Sequence, residues 1–170
     1  SGANVIAHYG KDLEGAKKAT AQIPDHQKIL ISADLSDVNG YQKLWSSALQ
    51  WQGKIDVLIL NAAIMPEAAI TDSFEKWSKS WHESIAVNAT APAFLIREAV
   101  LHFLENGGGN IIGLSSWAAQ RGSGNPNLGA YAASKSVLPA LIKAVARAYA
   151  KNGIYAYLIA PGIVRTAMSE

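Results

Sequence analysis

Residues 110–116 read Asn-Ile-Ile-Gly-Leu-Ser-Ser, a short apolar run that ends in two hydroxyl side chains. A helical pattern follows over residues 130–151, and a second apolar run covers residues 154–159. A strand, a helix and a further strand in this order make a βαβ unit, in which the two strands are parallel. This stretch therefore predicts an α/β protein built on a parallel sheet.

The same alternation extends toward the N-terminus. Gly107-Gly108-Gly109 and Asn152-Gly153 are predicted to end the last two helices, because these residues adopt the left-handed conformation readily. Each apolar run is apolar at adjacent positions, which is typical of parallel strands that are covered on both faces. We expect a Rossmann-like doubly wound parallel sheet. The remaining apolar runs are residues 4–8, 29–33 and 55–60, and the remaining helical patterns lie near 12–22, 37–52 and 74–105.

The composition limits the function classes. Hydrophobic residues make up 49% of the 170 residues and charged residues 16%, which suits one globular domain. The net charge is only +2 and no basic block is present, so a nucleic-acid partner is not expected. There is no cysteine and the four histidines lack ligand spacing, so we predict no metal site. Without a signal peptide or a long apolar run, we expect a cytoplasmic protein with no membrane partner.

Tyr131 and Lys135 form the strongest local motif, Tyr-Ala-Ala-Ser-Lys at the start of a helix. Residues four apart share a helix face, so the phenol and the ammonium are expected side by side. The ammonium favours the phenolate, which makes Tyr131 a candidate general acid/base. Ser115 and Ser116 end a predicted strand, where ligands bind in open α/β sheets. The alternative for the serine pair is a helix or turn cap, which the downstream Tyr and Lys make the weaker interpretation.

Together these motifs resemble the single-domain branch of the short-chain dehydrogenase/reductase family, over essentially all 170 residues. The family's Asn-Asn-Ala-Gly segment corresponds to residues 60–63, and its helix asparagine corresponds to Asn88. Its second serine corresponds to Ser116, and its Tyr-x-x-x-Lys motif to Tyr131 and Lys135. Its Pro-Gly turn is similar to residues 160–166.

The resemblance implies an oxidoreductase that transfers a hydride between NAD(P) and a carbonyl or secondary-alcohol substrate. Tyr131 would be the general acid/base, and Ser116 would hold the substrate oxygen. Lys135 would bind the nicotinamide ribose, and Asn88 would position a water in a proton relay. The other cofactor contacts that the resemblance implies are Asp34, Leu35, Asn61, Ala62, Ala63, Pro161, Gly162, Ile163 and Thr166. For Asp34 the alternative is an N-cap of the helix that follows Asp37.

The resemblance also implies a single nicotinamide-dinucleotide-binding domain that is incomplete at both ends. Nothing before the first apolar run carries a Gly-rich phosphate loop, and we expect the first strand, that loop and the C-terminal strand to lie outside these 170 residues. Two other functions stay open. One is a noncatalytic nucleotide-binding relative, and the other is an epimerase or dehydratase of the extended branch, which carries a larger C-terminal domain.

Three further expectations concern the cofactor, the assembly and two prolines. Lys11 follows the first predicted strand where NAD-preferring enzymes place a carboxylate, which favours NADP, with NAD as the alternative because of Asp12. The apolar helices at 74–105 and 130–151 predict a homo-oligomer, a dimer or a tetramer. Pro92 and Pro139 should free the carbonyls of Asn88 and Lys135, because proline has no N–H to donate to the residue four positions earlier. For Pro139 an ordinary kink is the alternative.

Overall fold

The computed structural model describes residues 2–162, and strands alternate with helices along them. The strands are β1 (Val5–Tyr9), β2 (Lys28–Ser32), β3 (Val57–Leu60), β4 (Gly109–Leu114) and β5 (Ile154–Ile159). The helices are α1 (Leu13–Ala19), α2 (Val38–Gln52), α3 (Phe74–Ile85), α4 (Ala91–Glu105), α5 (Ala118–Arg121) and α6 (Gly129–Tyr149). A single π-turn, Ala86–Thr90, joins α3 to α4.

The chain divides into two compact units, the first ending at Ile55 and the second beginning at Asp56. The first unit holds a sheet of β1 and β2, and the second holds a sheet in the order β3-β4-β5. All three strand pairings are parallel. The predicted α/β architecture with parallel strands is therefore confirmed, whereas one domain spanning all 170 residues stays a prediction.

In the first unit, acidic side chains begin both helices. The Asp12 carboxylate accepts the Gly15 N–H at 2.8 Å, and the Asp37 carboxylate accepts the Asn39 N–H at 3.0 Å. Such bonds satisfy N–H groups that have no partner within the first turn of a helix. Gly40 lies in the first turn of α2, where a Cβ atom would come within 2.0 Å of the Asp34 carbonyl oxygen. The absence of a side chain at residue 40 lets α2 start directly against the chain that leaves β2.

In the second unit, α6 packs against β4 and β5. Gly113 permits close approach, since a Cβ at this position would lie 3.1 Å from the Leu138 side chain. Ile111 and Ile154 on the strands and Leu138 and Ile142 on the helix are almost fully buried. Removing such aliphatic surface from water stabilises the unit by roughly 1.5–3 kcal/mol per side chain.

Coverage of both faces of every strand stays a prediction, because among residues 2–162 one face of β3 and β5 is partly exposed. Alternate residues of these strands are about half exposed: Val57, Ile59, Tyr155, Tyr157 and Ile159. Within the second unit, α4 and α6 contact each other and both contact the three-stranded sheet. Side chains of a strand point alternately to the two faces, so every second residue stays accessible.

The predicted helix over residues 74–105 is helical throughout, as α3, the π-turn and α4. By length and composition this segment could cross a membrane, which corrects the expectation that no segment is apolar enough. However, 56% of its apolar window is buried inside the protein, and α3 and α4 both contact α6. That packing is typical of a core helix, and the expected absence of a membrane partner remains a prediction.

Candidate active site

The candidate site lies at the carboxyl ends of β3, β4 and β5. Leu60 pairs with Gly113 and Leu114 pairs with Ile159, so residues 61–63, 115–116 and 160–161 leave the sheet at the same edge. The Ser115 N–H donates to the Ile159 carbonyl at 2.8 Å, and the Trp117 N–H donates to the Pro161 carbonyl at 3.3 Å. The structure therefore brings Ser116 and Pro161 together, as the sequence predicts, at the edge where ligands bind in open α/β sheets.

Asn88 is 1% exposed, and its side chain holds the segment that follows β3. Its amide oxygen accepts the Ile64 N–H at 2.9 Å, and its amide nitrogen donates to the Ile64 carbonyl at 2.8 Å. The second amide hydrogen goes to Ser134 Oγ at 3.0 Å. Both N–H donors of the side chain are thus used. The side chain therefore has no N–H left to donate to a relay water, and the backbone carbonyl remains the group predicted to bind it.

Ser134 is a site residue that was missed in the sequence. It is fully buried, it accepts from Asn88, and it donates to the Tyr131 carbonyl at 2.8 Å. Half of this arrangement has a local signal, because a helical serine often donates to the carbonyl three or four residues earlier. The other half joins residues that are 46 positions apart, which only the tertiary structure shows. Ser134 thus connects the first turn of α6 to Asn88.

Tyr131 and Lys135 lie on the first turns of α6, Tyr131 half-buried and Lys135 only 4% exposed. Lys135 Nζ donates to the Leu114 carbonyl at 2.6 Å. Burial lowers the pKa of the Lys135 ammonium from its usual 10.5 to about 8. Within residues 2–162 this ammonium has no other hydrogen-bond partner, so two of its three N–H groups remain available for a ligand.

Ser116 combines the two roles considered for it. Its Oγ accepts the Ala118 N–H at 3.2 Å, which is the turn-capping role. A hydroxyl that accepts one bond keeps its own proton for donation. Ser116 is buried, and it follows β4 directly at the ligand-binding edge. Capping fixes the position of the hydroxyl and leaves it able to donate to a substrate oxygen.

The structure shows an irregular turn near Asn88 and a donor from outside the helix at the Lys135 carbonyl, whereas a freed Asn88 carbonyl stays a prediction. Near Asn88 the α-helical ladder gives way to a π-turn, in which the Ala91 N–H reaches the Ala86 carbonyl five residues earlier. In α6, Ser115 Oγ donates to the Lys135 carbonyl at 3.3 Å, at the position where Pro139 lacks an N–H. The relay water at the Asn88 carbonyl stays a prediction.

The remaining predicted cofactor contacts fall into separate groups. Asp34 and Leu35 belong to the first unit, and Asn61, Ala62, Ala63 and Gly162 to the second, whereas Ile163 and Thr166 lie outside the described residues. Asp34 is not the N-cap of α2, because Asp37 is. Instead, the hydroxyl and the backbone N–H of Ser36 donate to the Asp34 carboxylate and hold its pKa below the ordinary value.

One buried hydroxyl beside Asn88 gives a stability prediction. Ser80, Ser84 and Asn88 follow each other at four-residue spacing, and Ser84 is fully buried with no hydrogen-bond partner among the described residues. An unsatisfied buried polar group costs about 1–3 kcal/mol. We expect Ser84→Ala to raise the free energy of unfolding by about 1 kcal/mol.

Ser80 provides the matched comparison, because its Oγ donates to the Pro66 carbonyl at 3.0 Å. Ser80→Ala should lower the free energy of unfolding by about 1 kcal/mol, since the carbonyl loses its donor. Urea unfolding of both variants measures whether each change raises or lowers the free energy of unfolding. A destabilised Ser84→Ala variant would show that Ser84 has a partner in solution.

Comparisons with known proteins identify the family of this chain. The sequence profile of the family described as short chain dehydrogenase matches residues 1–170. A dehydrogenase/reductase SDR family member 4 from Bos taurus is 35% identical over 76% of this chain and 45% of its own length. A 3beta-hydroxysteroid dehydrogenase 1 from Eggerthella lenta is 33% identical over 99% of this chain and 64% of its own length.

Solved structures give the same result. The chain matches a putative betaketoacyl-ACP reductase with a TM-score of 0.83 and 27% identity, over 97% of this chain and 64% of that one. It also matches a 3-ketoacyl-(acyl-carrier-protein) reductase from Brucella melitensis complexed with NADH, with a TM-score of 0.80 and 26% identity, over 95% of this chain and 65% of that one. The chain spans about half the length of the first curated relatives that it matches.

Proposed function

The chain belongs to the short-chain dehydrogenase/reductase family, and we propose that it transfers a hydride between NAD(P) and a carbonyl or secondary-alcohol substrate, with Tyr131 as general acid/base. The observation that carries this proposal is the buried Lys135 ammonium, held one helical turn after Tyr131 at the carboxyl edge of the sheet. Among residues 2–162 this ammonium has no carboxylate partner, and because such a buried charge is costly for stability, its presence favours a role in binding or chemistry.

The residues at this edge fit a nicotinamide cofactor. Two N–H groups of Lys135 remain available within the described residues, and a ribose diol offers two hydroxyl acceptors. Residues 61–63 and Pro161-Gly162 would border the cofactor from the ends of β3 and β5. The cofactor supplies the hydride, and the chain supplies position, a proton and charge.

Each side chain around the substrate has a different proposed role. Ser116 keeps its proton for the substrate oxygen, because its Oγ is fixed by accepting from Ala118. Tyr131 exchanges a proton with the same oxygen, and the positive charge of Lys135 stabilises the phenolate that this exchange produces. Asn88 holds the segment at Ile64 and, through Ser134, the first turn of α6. Its backbone carbonyl is proposed to bind the water that resupplies the proton.

A panel of ketones and secondary alcohols, each with NAD(H) and NADP(H), tests the proposal through the absorbance of the reduced nicotinamide. Similarity to a protein named as a hydroxysteroid dehydrogenase favours including hydroxysteroids in the panel. Turnover that depends on Tyr131 is the expected result. Cofactor binding without turnover of any compound would instead favour a noncatalytic nucleotide-binding protein. Isomerisation or dehydration of a nucleotide sugar, with no net change of the cofactor, would favour the extended-branch alternative.

We propose NADP(H) as the preferred cofactor. Lys11 lies two residues after β1 and is exposed, so it offers a cation to a 2'-phosphate. Asp12, the carboxylate that would favour NAD, is engaged as the N-cap of α1. Lys11→Glu should reduce the ratio of kcat/KM for NADPH to that for NADH by at least about tenfold, the effect of one lost charge-assisted hydrogen bond. Lys43→Glu, an equal charge change on α2, is the control, and a wild-type preference for NADH would contradict the proposal.

We also propose a homo-oligomer, a dimer or a tetramer, in which residues 74–105 and 130–151 contribute to one interface. Within α6 the residues Leu138, Ile142 and Val145 are buried in the protein, whereas Val137 is 37% exposed. Leu101 and Leu104 on α4 are similarly exposed. Burying these side chains in a partner removes apolar surface from water. Light scattering is expected to give at least twice the monomer mass, and a monomer at every concentration would refute this assembly.

A further inference from the structure

We propose that Ser115 is a positioning residue for Lys135: its hydroxyl holds the Lys135 backbone carbonyl, which Pro139 leaves without a helical donor. The catalytic part of this inference rests on the function proposed above, and the structural part stands by itself. Ser115 is distinct from Ser116, whose Oγ accepts the Ala118 N–H.

The need for a donor arises within α6. In an α-helix the carbonyl of one residue accepts the N–H of the residue four positions later. For Lys135 that residue is Pro139, which lies inside α6 and has no N–H. Lys135 is 4% exposed, so water is a poor replacement for the missing donor. The sequence around Lys135 thus creates a buried carbonyl that must find a partner on another element.

Ser115 supplies that partner from the end of β4. Its Oγ donates to the Lys135 carbonyl at 3.3 Å, and the side chain is buried. The donor is fixed in place, because the Ser115 N–H continues the pairing between β4 and β5 by donating to the Ile159 carbonyl at 2.8 Å. Because the strand pairing fixes the Ser115 backbone, its hydroxyl holds the facing turn of α6 close to the end of β4.

The residue before Ser115 holds the other end of the same lysine. The Leu114 carbonyl accepts from Lys135 Nζ at 2.6 Å. Two consecutive residues of one strand end therefore fix both the main chain and the ammonium of Lys135. A lysine side chain has a flexible four-carbon stem. If only its ammonium were held, the Lys135 backbone could still shift. Contacts at both ends define where the charge lies relative to Tyr131, one turn earlier.

A double-mutant cycle tests the pairing in the full-length protein. In Pro139→Ala the new N–H can take the Lys135 carbonyl, which makes the Ser115 hydroxyl dispensable. Ser115→Ala should therefore lower the unfolding midpoint clearly in the parent protein and hardly at all in the Pro139→Ala background. Lys143→Ala, a change at an exposed residue of the same helix, is the control and should match the parent protein in its unfolding midpoint. Equal losses of stability in both backgrounds would overturn the proposal.

The positioning role has its own readout. Ser115→Ala should lower kcat by roughly tenfold at saturating cofactor and leave the substrate KM within about twofold, since the loss concerns charge placement in the transition state. In the Pro139→Ala background the same change should alter kcat less than about twofold. A coupled loss of stability with an unchanged kcat would show that Ser115 is only structural, and overturn its positioning role. If the parent protein turns over no substrate, the proposed function fails, and the unfolding cycle alone decides whether Ser115 holds this carbonyl.

Discussion

Tyr131→Phe is expected to lower kcat by about 10²- to 10⁴-fold, the contribution of a positioned general acid/base. The change removes only the hydroxyl. The contacts that hold the first turn of α6 use the Tyr131 backbone carbonyl and Ser134, so they should remain. Cofactor affinity, measured by quenching of protein fluorescence, should therefore stay within about twofold. Tyr149→Phe, near the end of the same helix, is the matched control and should keep wild-type turnover. Full activity of the Tyr131→Phe protein would remove this residue from the proposed mechanism.

Lys135→Met is expected to abolish turnover and also to remove a pH dependence of stability. The folded-state pKa of Lys135 is about 8 and its ordinary value is 10.5, so between these pH values the unfolded chain binds more protons than the folded one. The free energy of unfolding of the parent protein should therefore rise with pH across this window, by at most about 3 kcal/mol from this group. Below pH 8 both states are protonated, and the cost of burying the ammonium is fully present.

The comparison between variants isolates this contribution from other titrating groups. Urea unfolding at several pH values between 8 and 10.5 should show a steeper rise for the parent protein than for Lys135→Met. Lys143→Met removes an exposed charge from the same helix and should follow the parent protein. Parallel curves for the parent protein and Lys135→Met would mean that the ammonium is not buried in solution.

Local patterns predicted the elements well where the responsible interactions are local. The strand at residues 154–159 and the helix at 37–52 agree with β5 and α2 to within one residue, because apolar periodicity and the Asp37 cap lie within those segments. The helix near 12–22 ends earlier, at Ala19. Lys28 Nζ, at the start of β2, donates to the carbonyls of Thr20 and Ile23 and holds this chain in a turn. Because this donor belongs to the next strand, the apolar pattern of the helix cannot predict where the helix ends.

The candidate site shows the same division. The Tyr131–Lys135 pair was predicted from helix spacing, and Ser116 and Asn88 from the family resemblance; the structure places all four around one edge of the second unit's sheet. The hydrogen bonds of Ser134 to Asn88 and of Ser115 to the Lys135 carbonyl were not predicted, because each joins residues that are far apart in the sequence. For Ser115 the signal in the sequence is Pro139. It indicates that the Lys135 carbonyl lacks a helical donor, but it does not identify the residue that supplies one. Coverage of the strand faces also depends on tertiary packing, so the sequence pattern alone does not decide it.

Because of the π-turn at Ala86–Thr90, the number of residues in this helix determines how α3 and α4 are rotated relative to each other. A residue of an α-helix advances the chain by about 100° around the axis, so the additional residue of a π-turn offsets the two halves by that angle. A one-residue deletion within 86–90 would restore a regular helix and rotate one half against the other. Either Asn88 would turn away from Ile64, or α4 would present charged side chains to the core. We therefore expect a change in the length of this helix to be more disruptive than a substitution at one of its exposed positions.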